Sequence, residues 1–428
     1  MSRKLFCYLF LLCLIIPLAA QAQEQIELTM QHFQSDDSVG AVLFRNAIAD
    51  FEAAHPNVSV RQETTTHDEY ITLFNVEAAS GELPDVFMIL AANIDSTQAA
   101  GLLADLGPDF AADVDWLNAQ NPGAMLEWTR GDSIYAIPTQ MIVTHLIYYN
   151  QAIFDEVGIE EFPTTWEDFK SAITTLNDAG YIPIALGNKE RWVVADPLFG
   201  TMIFRATGLD WFNNLLTGDA KFTDPEFVYA VEAFKELVDI GAFNVDANSL
   251  TNAQQRTLYY NGEAAMFIEG NWAIGSVAQE APEDIRDNTH LAIWPPLTAG
   301  KGSANQVTGG AGWGIAINSK VSGAKREAAV ELLKTLSAID YGRQRIEAGL
   351  MAGQVVTDFD ETLLPALTTE LNRKLATEWE VVPIFTNWTP RGILDTLGQT
   401  MQELMIGQKT PEQVAQELQA EMDRSIIE

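Results

Sequence analysis

The sequence predicts an α/β protein with two domains, each built on a mainly parallel sheet flanked by helices. Strand-period and helix-period hydrophobic patterns alternate along the chain. The length of 428 residues is nearly three times the roughly 150 residues of an ordinary domain. Hydrophobic residues make up 47% and charged residues 20%, which is the composition of a folded globular protein.

The first part of the chain alternates strand and helix. Thr66 and Glu69 form a capping-box pattern, in which side-chain oxygens satisfy free amides at a helix start, and Gly81 ends that helix. Pro56 stops the helix before it. The predicted elements are strands over 26–32, 58–60 and 84–89 and helices over 43–51 and 66–79.

The same alternation continues to the end of the chain. Thr165 is a predicted helix cap, and Pro225 and Pro411 stand at first helical positions. Parallel sheets of this kind bind ligands at the carboxyl ends of their strands. The predicted elements are strands over 182–186, 264–268, 291–294 and 313–317 and helices over 166–179, 225–240, 323–338 and 410–427.

The charge balance excludes several kinds of partner. Asp and Glu number 59 against 25 Lys and Arg, which gives a formal net charge of −34. A surface this acidic repels nucleic-acid backbones and anionic lipids, so neither is an expected partner. Anionic small ligands are also disfavoured.

Residues 1–22 are typical of an export signal. Two positive charges open the segment, 5–18 is almost entirely apolar, and its last three residues form a small-x-small cleavage pattern. The apolar run is shorter than the roughly 20 residues that span a bilayer, so cleavage after Ala22 is favoured over an N-terminal anchor. Neither Cys7 nor Cys13 follows the small residue that lipid attachment requires. We therefore expect a periplasmic protein without cysteine chemistry.

The sequence predicts no catalytic residue, metal or cofactor. No nucleophile-elbow, zinc-protease or P-loop pattern is present. The five histidines are scattered without ligand spacing: His32, His55, His67, His145 and His290. The glycine-rich run 309–314 does not match a dinucleotide motif. Either its small residues allow a close backbone approach while Trp313 projects, or the run leads into a core tryptophan.

Aromatic residues are the informative excess, with ten Trp, ten Tyr and 21 Phe. A sugar ring stacks a flat C–H face on an indole, and its hydroxyls need amide or carboxylate partners. Some tryptophans stand next to amide or glycine residues or, for Trp192, four residues after an Asn, which suits sugar binding. Core packing is the alternative for each of them: Trp192, Trp272, Trp313 and Trp388.

Seven segments, in order along the chain, carry a resemblance to a known family. They are FEAAHPNV at 51–58, SGELPDVF at 80–87, YAIPT at 135–139, LIYYN at 146–150, FPTTWEDF at 162–169, GEAAMFIEGNW at 262–272 and GWGIAI at 312–317. The chain resembles extracellular solute-binding protein family 1, the maltose-binding-protein-like group of ABC importers. The resemblance runs nearly end to end after the export signal.

This resemblance implies a two-lobe periplasmic-binding-protein fold of type II, with the lobes joined by hinge strands. The first lobe is expected over 26–138 plus 287–345, and the second over 139–286 plus 346–428. The chain would then cross between lobes near Ile137, Asn288 and Gly349.

The resemblance also implies a ligand site in the cleft between the lobes. Trp272, which follows Asn271 after the Ala-Ala-Met strand, matches an aromatic that stacks on sugar. The loop with Gly312 and Trp313 matches a cleft segment. Further expected ligand contacts are Gln34, Asp37, Asn93, Gln140, Trp192 and Trp388.

The expected function is capture of a neutral sugar or oligosaccharide and its delivery to the permease of an ABC transporter, by a protein that acts as a monomer and not as an enzyme. A secreted glycoside hydrolase is the alternative, since it would share export, acidity and exposed tryptophans. The same fold with a non-sugar ligand is a third interpretation. A phosphorylated polyol would need clustered Arg or Lys, which the matching segments lack.

Overall fold

The computed structural model describes residues 25–427. The predicted export signal at 1–22 lies outside these residues. Within the described range, no helix combines the length and apolarity needed to cross a membrane.

Strands and helices alternate through most of the described chain. The strands are β1 Ile26–His32, β2 Val58–Thr64, β3 Val86–Leu90, β4 Thr129–Arg130, β5 Ser133–Ile134, β6 Ile137–Pro138, β7 Ile142–Val143, β8 Leu146–Asn150, β9 Ile182–Ala185, β10 Ala264–Glu269, β11 Thr289–Ala292, β12 Gln306–Gly310, β13 Trp313–Ile317 and β14 Glu380–Pro383.

The α-helices are α1 Val39–Ala54, α2 His67–Ser80, α3 Ile94–Ala99, α4 Gly107–Ala112, α5 Val114–Ala119, α6 Pro122–Met125, α7 Gln151–Glu156, α8 Trp166–Asp178, α9 Gly200–Thr207, α10 Leu209–Thr217, α11 Pro225–Asp239, α12 Asn252–Tyr260, α13 Ala273–Glu280, α14 Glu283–Arg286, α15 Gly323–Leu336, α16 Ile339–Glu347, α17 Ala366–Thr377, α18 Arg391–Met405 and α19 Pro411–Ile427.

Helix starts follow the capping residues that the sequence indicates. Helix α2 begins after Thr66, whose backbone N–H donates to the Glu69 carboxylate at 3.3 Å. The Thr165 hydroxyl accepts from the Asp168 amide at the start of α8. At α19, the Thr410 N–H donates to the side-chain oxygen of Gln413 at 2.9 Å. These local bonds satisfy amides that have no partner within the helix.

The first lobe is built on a five-stranded sheet with the order β2-β1-β3-β13-β6. Strands β1, β2 and β3 run parallel, and β13 and β6 run antiparallel to their neighbours. Helices α1, α2 and α15 cover the sheet and enclose a core that includes Phe44, Phe51, Phe87 and Trp128. Burial of these side chains is the main source of the lobe's stability.

The second lobe is built on a four-stranded sheet with the order β11-β8-β10-β9. Its core includes Phe169, Phe199 and Trp294, and the C-terminal helices contribute Leu397 and Leu418 to it. The end of the chain therefore folds onto the middle of the chain.

A third sheet, with the order β14-β12-β7, lies where the chain passes between lobes. Residues 139–141 connect β6 of the first sheet to β7, and 311–312 connect β12 to β13. A further segment contacts the first lobe through the Gly353 carbonyl, which accepts the Asn121 N–H, before α17 joins the second lobe.

The sheet of each lobe is mainly parallel, as predicted, with one strand reversed: β13 runs antiparallel to β3 and β6, and β8 runs antiparallel to β10 and β11. One boundary differs from the sequence expectation. Strand β11 pairs with β8 of the second sheet, whereas the sequence assigned 287–345 to the first lobe. The return crossing accordingly falls at 311–312 and not near Asn288.

Replacing Phe385 by Ala tests the packing of the C-terminal segment onto the second core. Phe385 is fully buried, with ring centroids 5.5 Å from Phe212 and 6.1 Å from Phe222. We expect Phe385→Ala to lower the free energy of unfolding by about 3–5 kcal/mol in urea denaturation followed by circular dichroism. The exposed Val245→Ala is the control, and a loss below about 1 kcal/mol for Phe385→Ala would contradict this packing.

Candidate functional site

An aromatic surface lies at one edge of the first-lobe sheet. Phe33 follows β1, His67 begins α2 and Trp313 begins β13, where it pairs with Leu90 at the end of β3. The ring centroids of Phe33 lie 4.8 Å from Trp313 and 4.9 Å from His67. Since β13 runs antiparallel to β3, its first residue shares the edge with the carboxyl ends of the parallel strands. We call Phe33, His67 and Trp313 the first aromatic surface.

A second aromatic surface lies at the matching edge of the second-lobe sheet. Trp192 comes from the segment after β9, and Trp272 comes directly after β10. Their ring centroids are 6.3 Å apart, and the planes are inclined by 56°. Because β9 and β10 are parallel, both rings stand beyond the carboxyl ends of their strands.

The two aromatic surfaces meet across the cleft. The centroids of His67 and Trp192 are 5.7 Å apart, which is direct ring contact between the lobes. Behind Trp313, a cavity of about 10 Å³ is lined by Ile71, Phe74, Leu90 and Asn93, which is about the space of one water molecule. A sugar could occupy the contact between these rings only if the lobes moved apart.

Trp272 is held by its own lobe. Its indole Nε1 donates to the Glu269 carboxylate at 2.8 Å, and Glu269 is fully buried. Asn271, the neighbouring candidate, is buried, and its side-chain oxygen accepts the Val143 N–H at 3.0 Å. The Asn271 side chain therefore joins the strand β7 to the turn that carries Trp272.

The other polar candidates are mostly engaged within the protein. Asn93 is buried and donates to the Asn75 side chain at 3.2 Å, while its Oδ1 has no partner within residues 25–427. The Gln140 side chain accepts from Arg345. Gly312 has a φ of 69°, and a Cβ there would meet the Ile142 side chain at 2.6 Å, so glycine is required.

The remaining candidates lie at more open positions. Gln34 is half-buried in the loop after β1, and its carbonyl accepts from Arg45. Asp37 is exposed in the same loop, 4.0 Å from Arg45. Trp388 is 37% exposed, on the turn before α18. Among the described residues, the ring contacts of the two aromatic surfaces do not include Trp388.

The structure thus brings together Trp192, Trp272 and Trp313 from three distant parts of the chain. Sequence reasoning missed Phe33 and His67, which complete the first aromatic surface. Phe33 directly precedes the loop that was singled out for its polar residues, and His67 follows the capping Thr66. Their positions beyond a strand end and at a helix start were the available signals.

A buried polar contact also joins the lobes, and no sequence pattern indicates it. Glu127, from the first lobe, accepts from the Asn387 side chain of the second lobe at 2.9 Å. Its other oxygen accepts the N–H groups of Ala311 and Gly312 at 3.0 and 2.8 Å. These donors compensate for the loss of water around a buried carboxylate.

Asp196 stands close to this contact. It belongs to the π-helical turn Val194–Leu198 and accepts from the Thr386 hydroxyl at 3.4 Å. Burial, helped by the negative charge of Glu127, raises the pKa of Asp196 to about 7. Burial likewise raises the pKa of Glu127, against the lowering effect of its hydrogen-bond donors.

Two α/β lobes with aromatic surfaces that face each other across a cleft define a two-lobed binding protein. The match to known sequences leads to the same class of protein. The chain belongs to the bacterial extracellular solute-binding protein family, whose sequence profile matches residues 38–341.

Several curated relatives resemble the chain at low identity. The multiple sugar-binding protein of Streptococcus mutans is 24% identical over 69% of this chain and 67% of the relative. The diacetylchitobiose binding protein DasA of Streptomyces coelicolor is 24% identical over 81% of this chain and 77% of the relative. An uncharacterised ABC transporter extracellular-binding protein of Pyrococcus horikoshii is 26% identical over 53% of this chain, which spans 51% of that relative's length.

Solved structures share the whole fold. A chitin oligosaccharide binding protein has a TM-score of 0.86 at 24% identity and covers 94% of this chain and 100% of its own. Maltose-bound T. maritima MalE3 has a TM-score of 0.75 at 21% identity, with coverage of 94% and 100%. At such identities the similarity establishes the two-lobed fold.

The ionisation of Asp196 predicts a pH-dependent stability. Its folded pKa of about 7 exceeds the roughly 3.9 of an unfolded Asp, so the fold favours the protonated form. The resulting stabilisation is complete below about pH 4 and is lost as the pH rises through 7. Asp196→Asn cannot ionise. We therefore expect the free energy of unfolding of this variant, relative to that of the wild type, to be about 1–2 kcal/mol higher at pH 8 than at pH 5, measured by urea denaturation.

The control for this measurement is Asp178→Asn, which changes an exposed carboxylate of α8. An equal difference between Asp196→Asn and wild type at both pH values would contradict the raised pKa.

Proposed function

We propose that this protein captures an uncharged sugar or oligosaccharide between its lobes and delivers it to the permease of an ABC importer. The main observation in support of this proposal is that the two aromatic surfaces contact each other across the cleft, through His67 and Trp192. Each lobe alone offers part of an aromatic lining, so a ligand between them would touch both.

The chemistry of the cleft suits a neutral sugar. Indole faces stack on the C–H face of a pyranose, and this contact needs no charge on the ligand. The net charge of −34 works against anionic ligands at long range. Hydroxyl groups of the sugar would be selected by polar side chains, since a missing partner leaves a buried group unsatisfied at about 1–3 kcal/mol.

Among the ten candidates, we propose three kinds of role. Trp192, Trp272 and Trp313 would stack on the ligand. Gln34 and Asp37 stand in the loop beside Phe33 and would offer hydrogen bonds to its hydroxyls. The others would shape the walls of the site by packing or backbone geometry, or would lie at the margin of the site. They are Asn93, Gln140, Asn271, Gly312 and Trp388.

Ligand binding would shift the lobes towards the closed arrangement. A ligand that touches both aromatic surfaces makes its full set of contacts only when the lobes meet, and so it favours that state. The hydrogen bond from Asn387 to Glu127 also needs the lobes together. The permease would then recognise the closed form.

The proposal extends to the location and state of the protein. We propose export with cleavage after Ala22, a periplasmic location and action as a monomer. We also propose that the lobes correspond to the two cores, with the segment that contains β11 assigned to the second lobe.

Binding without hydrolysis is favoured over the glycoside hydrolase. Membership of a solute-binding family supports it. A hydrolase also needs a carboxylic acid free to give its proton to the leaving group. Glu127, whose negative charge helps to raise the pKa of Asp196, is already bound by Asn387 and two backbone amides. Incubation with oligosaccharides distinguishes the two, since binding returns the ligand intact and hydrolysis accumulates products.

Replacing Trp272 by Ala tests the proposed site. A thermal-shift screen of neutral mono- and oligosaccharides identifies a ligand, because a ligand that binds only the folded form raises the Tm. Titration calorimetry should then show Trp272→Ala weakening the Kd at least about tenfold, which corresponds to about 1.4 kcal/mol of lost stacking.

The matched control is Trp166→Phe. Trp166 lies in the same lobe, is buried, and also donates its indole N–H to a glutamate, Glu236, at 3.1 Å. The Trp166→Phe variant should keep the Kd within about twofold of the wild-type value. An unchanged Kd for Trp272→Ala would remove this residue from the site.

A further inference from the structure

The indole N–H of Trp272 is used inside the protein. Nε1 donates to Glu269 Oε1 at 2.8 Å, and Glu269 has no exposed surface. An indole has only this one hydrogen-bond donor and no acceptor. Trp272 therefore has no polar group left to offer a ligand in this arrangement.

The Glu269 carboxylate is itself fixed by α12. Arg256 Nη1 donates to the same Oε1 at 2.7 Å, and Gln255 Nε2 donates to Oε2 at 3.3 Å. Arg256 is also bonded to the Asn252 side chain at 3.0 Å. Glu269 in turn raises the pKa of the Arg256 guanidinium, whose side chain is 18% exposed. The Glu269 carboxylate is thus bonded through both oxygens and anchored to a helix, while Arg256 Nε has no hydrogen-bond partner within residues 25–427.

The ring of Trp272 is also limited by the backbone beneath it. A Cβ at Gly270 would stand 2.1 Å from the Trp272 Cζ3, so the ring lies directly against this glycine. The Gly270 carbonyl accepts the buried Tyr148 hydroxyl at 2.8 Å, which fixes the turn. One side of the ring is therefore packed and its N–H edge is tied, while another side faces Trp192.

We infer that Glu269, anchored by Arg256, is a positioning residue for the ligand: it fixes the plane of Trp272 so that the ring presents an apolar face and no hydrogen-bond donor. This inference rests on the proposed function. A ring that is already ordered does not lose its rotamer freedom on binding, which favours affinity. The ligand group above Trp272 would be recognised by its C–H face, and a hydroxyl there would gain nothing from the indole.

A double-mutant cycle tests this role. Glu269→Gln removes the charge that pairs with Arg256, and Trp272→Phe keeps an aromatic face but has no N–H for Glu269 to hold. We expect Glu269→Gln to weaken the Kd for the sugar found by the thermal-shift screen about tenfold in the wild-type chain. In the Trp272→Phe chain, the same change should cost less than about twofold, because its effect passes through the indole N–H.

A spectroscopic readout reports the ring itself. In protein labelled with 5-fluorotryptophan, the Trp272 fluorine resonance is assigned by its loss in Trp272→Phe. Glu269→Gln should shift and broaden this resonance in the absence of sugar. Glu236→Gln is the matched control, since Glu236 also joins an indole N–H to a cation, Lys170, and should move neither the Trp272 resonance nor the Kd.

Should Glu269→Gln fail to fold, Arg256→Lys reports on the same anchor. It keeps the positive charge but removes the guanidinium Nη1 that donates to both Glu269 and Asn252, so we expect about a threefold weaker Kd and a shifted Trp272 resonance.

The inference would be overturned if Glu269→Gln lowered the affinity equally in the wild-type chain and in the Trp272→Phe chain. It would also be overturned if Glu269→Gln left the Trp272 resonance unchanged. Failure of the proposed function looks different. In that case the wild-type protein retains no sugar, while the fluorine resonance still tells whether Glu269 holds the ring.

Discussion

The contact between His67 and Trp192 is the interaction on which the arrangement of the cleft depends. Trp192 packs against the core of the second lobe, and His67 contacts Phe33, which packs against the core of the first lobe. The centroids of His67 and Trp192 lie 5.7 Å apart, so the ends of the two sheets that carry the aromatic surfaces face each other. The same arrangement brings Asn387 to the buried Glu127. An aromatic contact and a buried hydrogen bond therefore both join the two lobes.

Local physical chemistry made much of the fold predictable. Thr66, Thr165 and Thr410 cap helices that begin where their side-chain oxygens indicate, because capping acts within a few residues. Strand order is a different matter, since it depends on pairing between distant segments. The partners of β11 and β13 could not be obtained from periodicity, and the lobe assignment of 287–345 differed for that reason.

The site was only partly accessible to sequence reasoning. Trp192, Trp272 and Trp313 stood out because large aromatics beside amides and glycines are unusual within regular elements. Glu127 did not stand out, because one acid among 59 Asp and Glu carries no local signal. Its importance comes from donors 185 and 260 residues away in the chain. Burial and partner identity, not residue type, distinguish it.

The most direct test of the central claim is a crystal structure of the protein with a sugar that it retains. The account predicts a sugar ring between Phe33, His67 and Trp313 on one side and Trp192 and Trp272 on the other, with His67 and Trp192 separated to admit it. A sugar bound elsewhere, for example in the groove between α18 and α19 lined by Gln399 and Glu417, with the His67 and Trp192 rings still in contact, would contradict it.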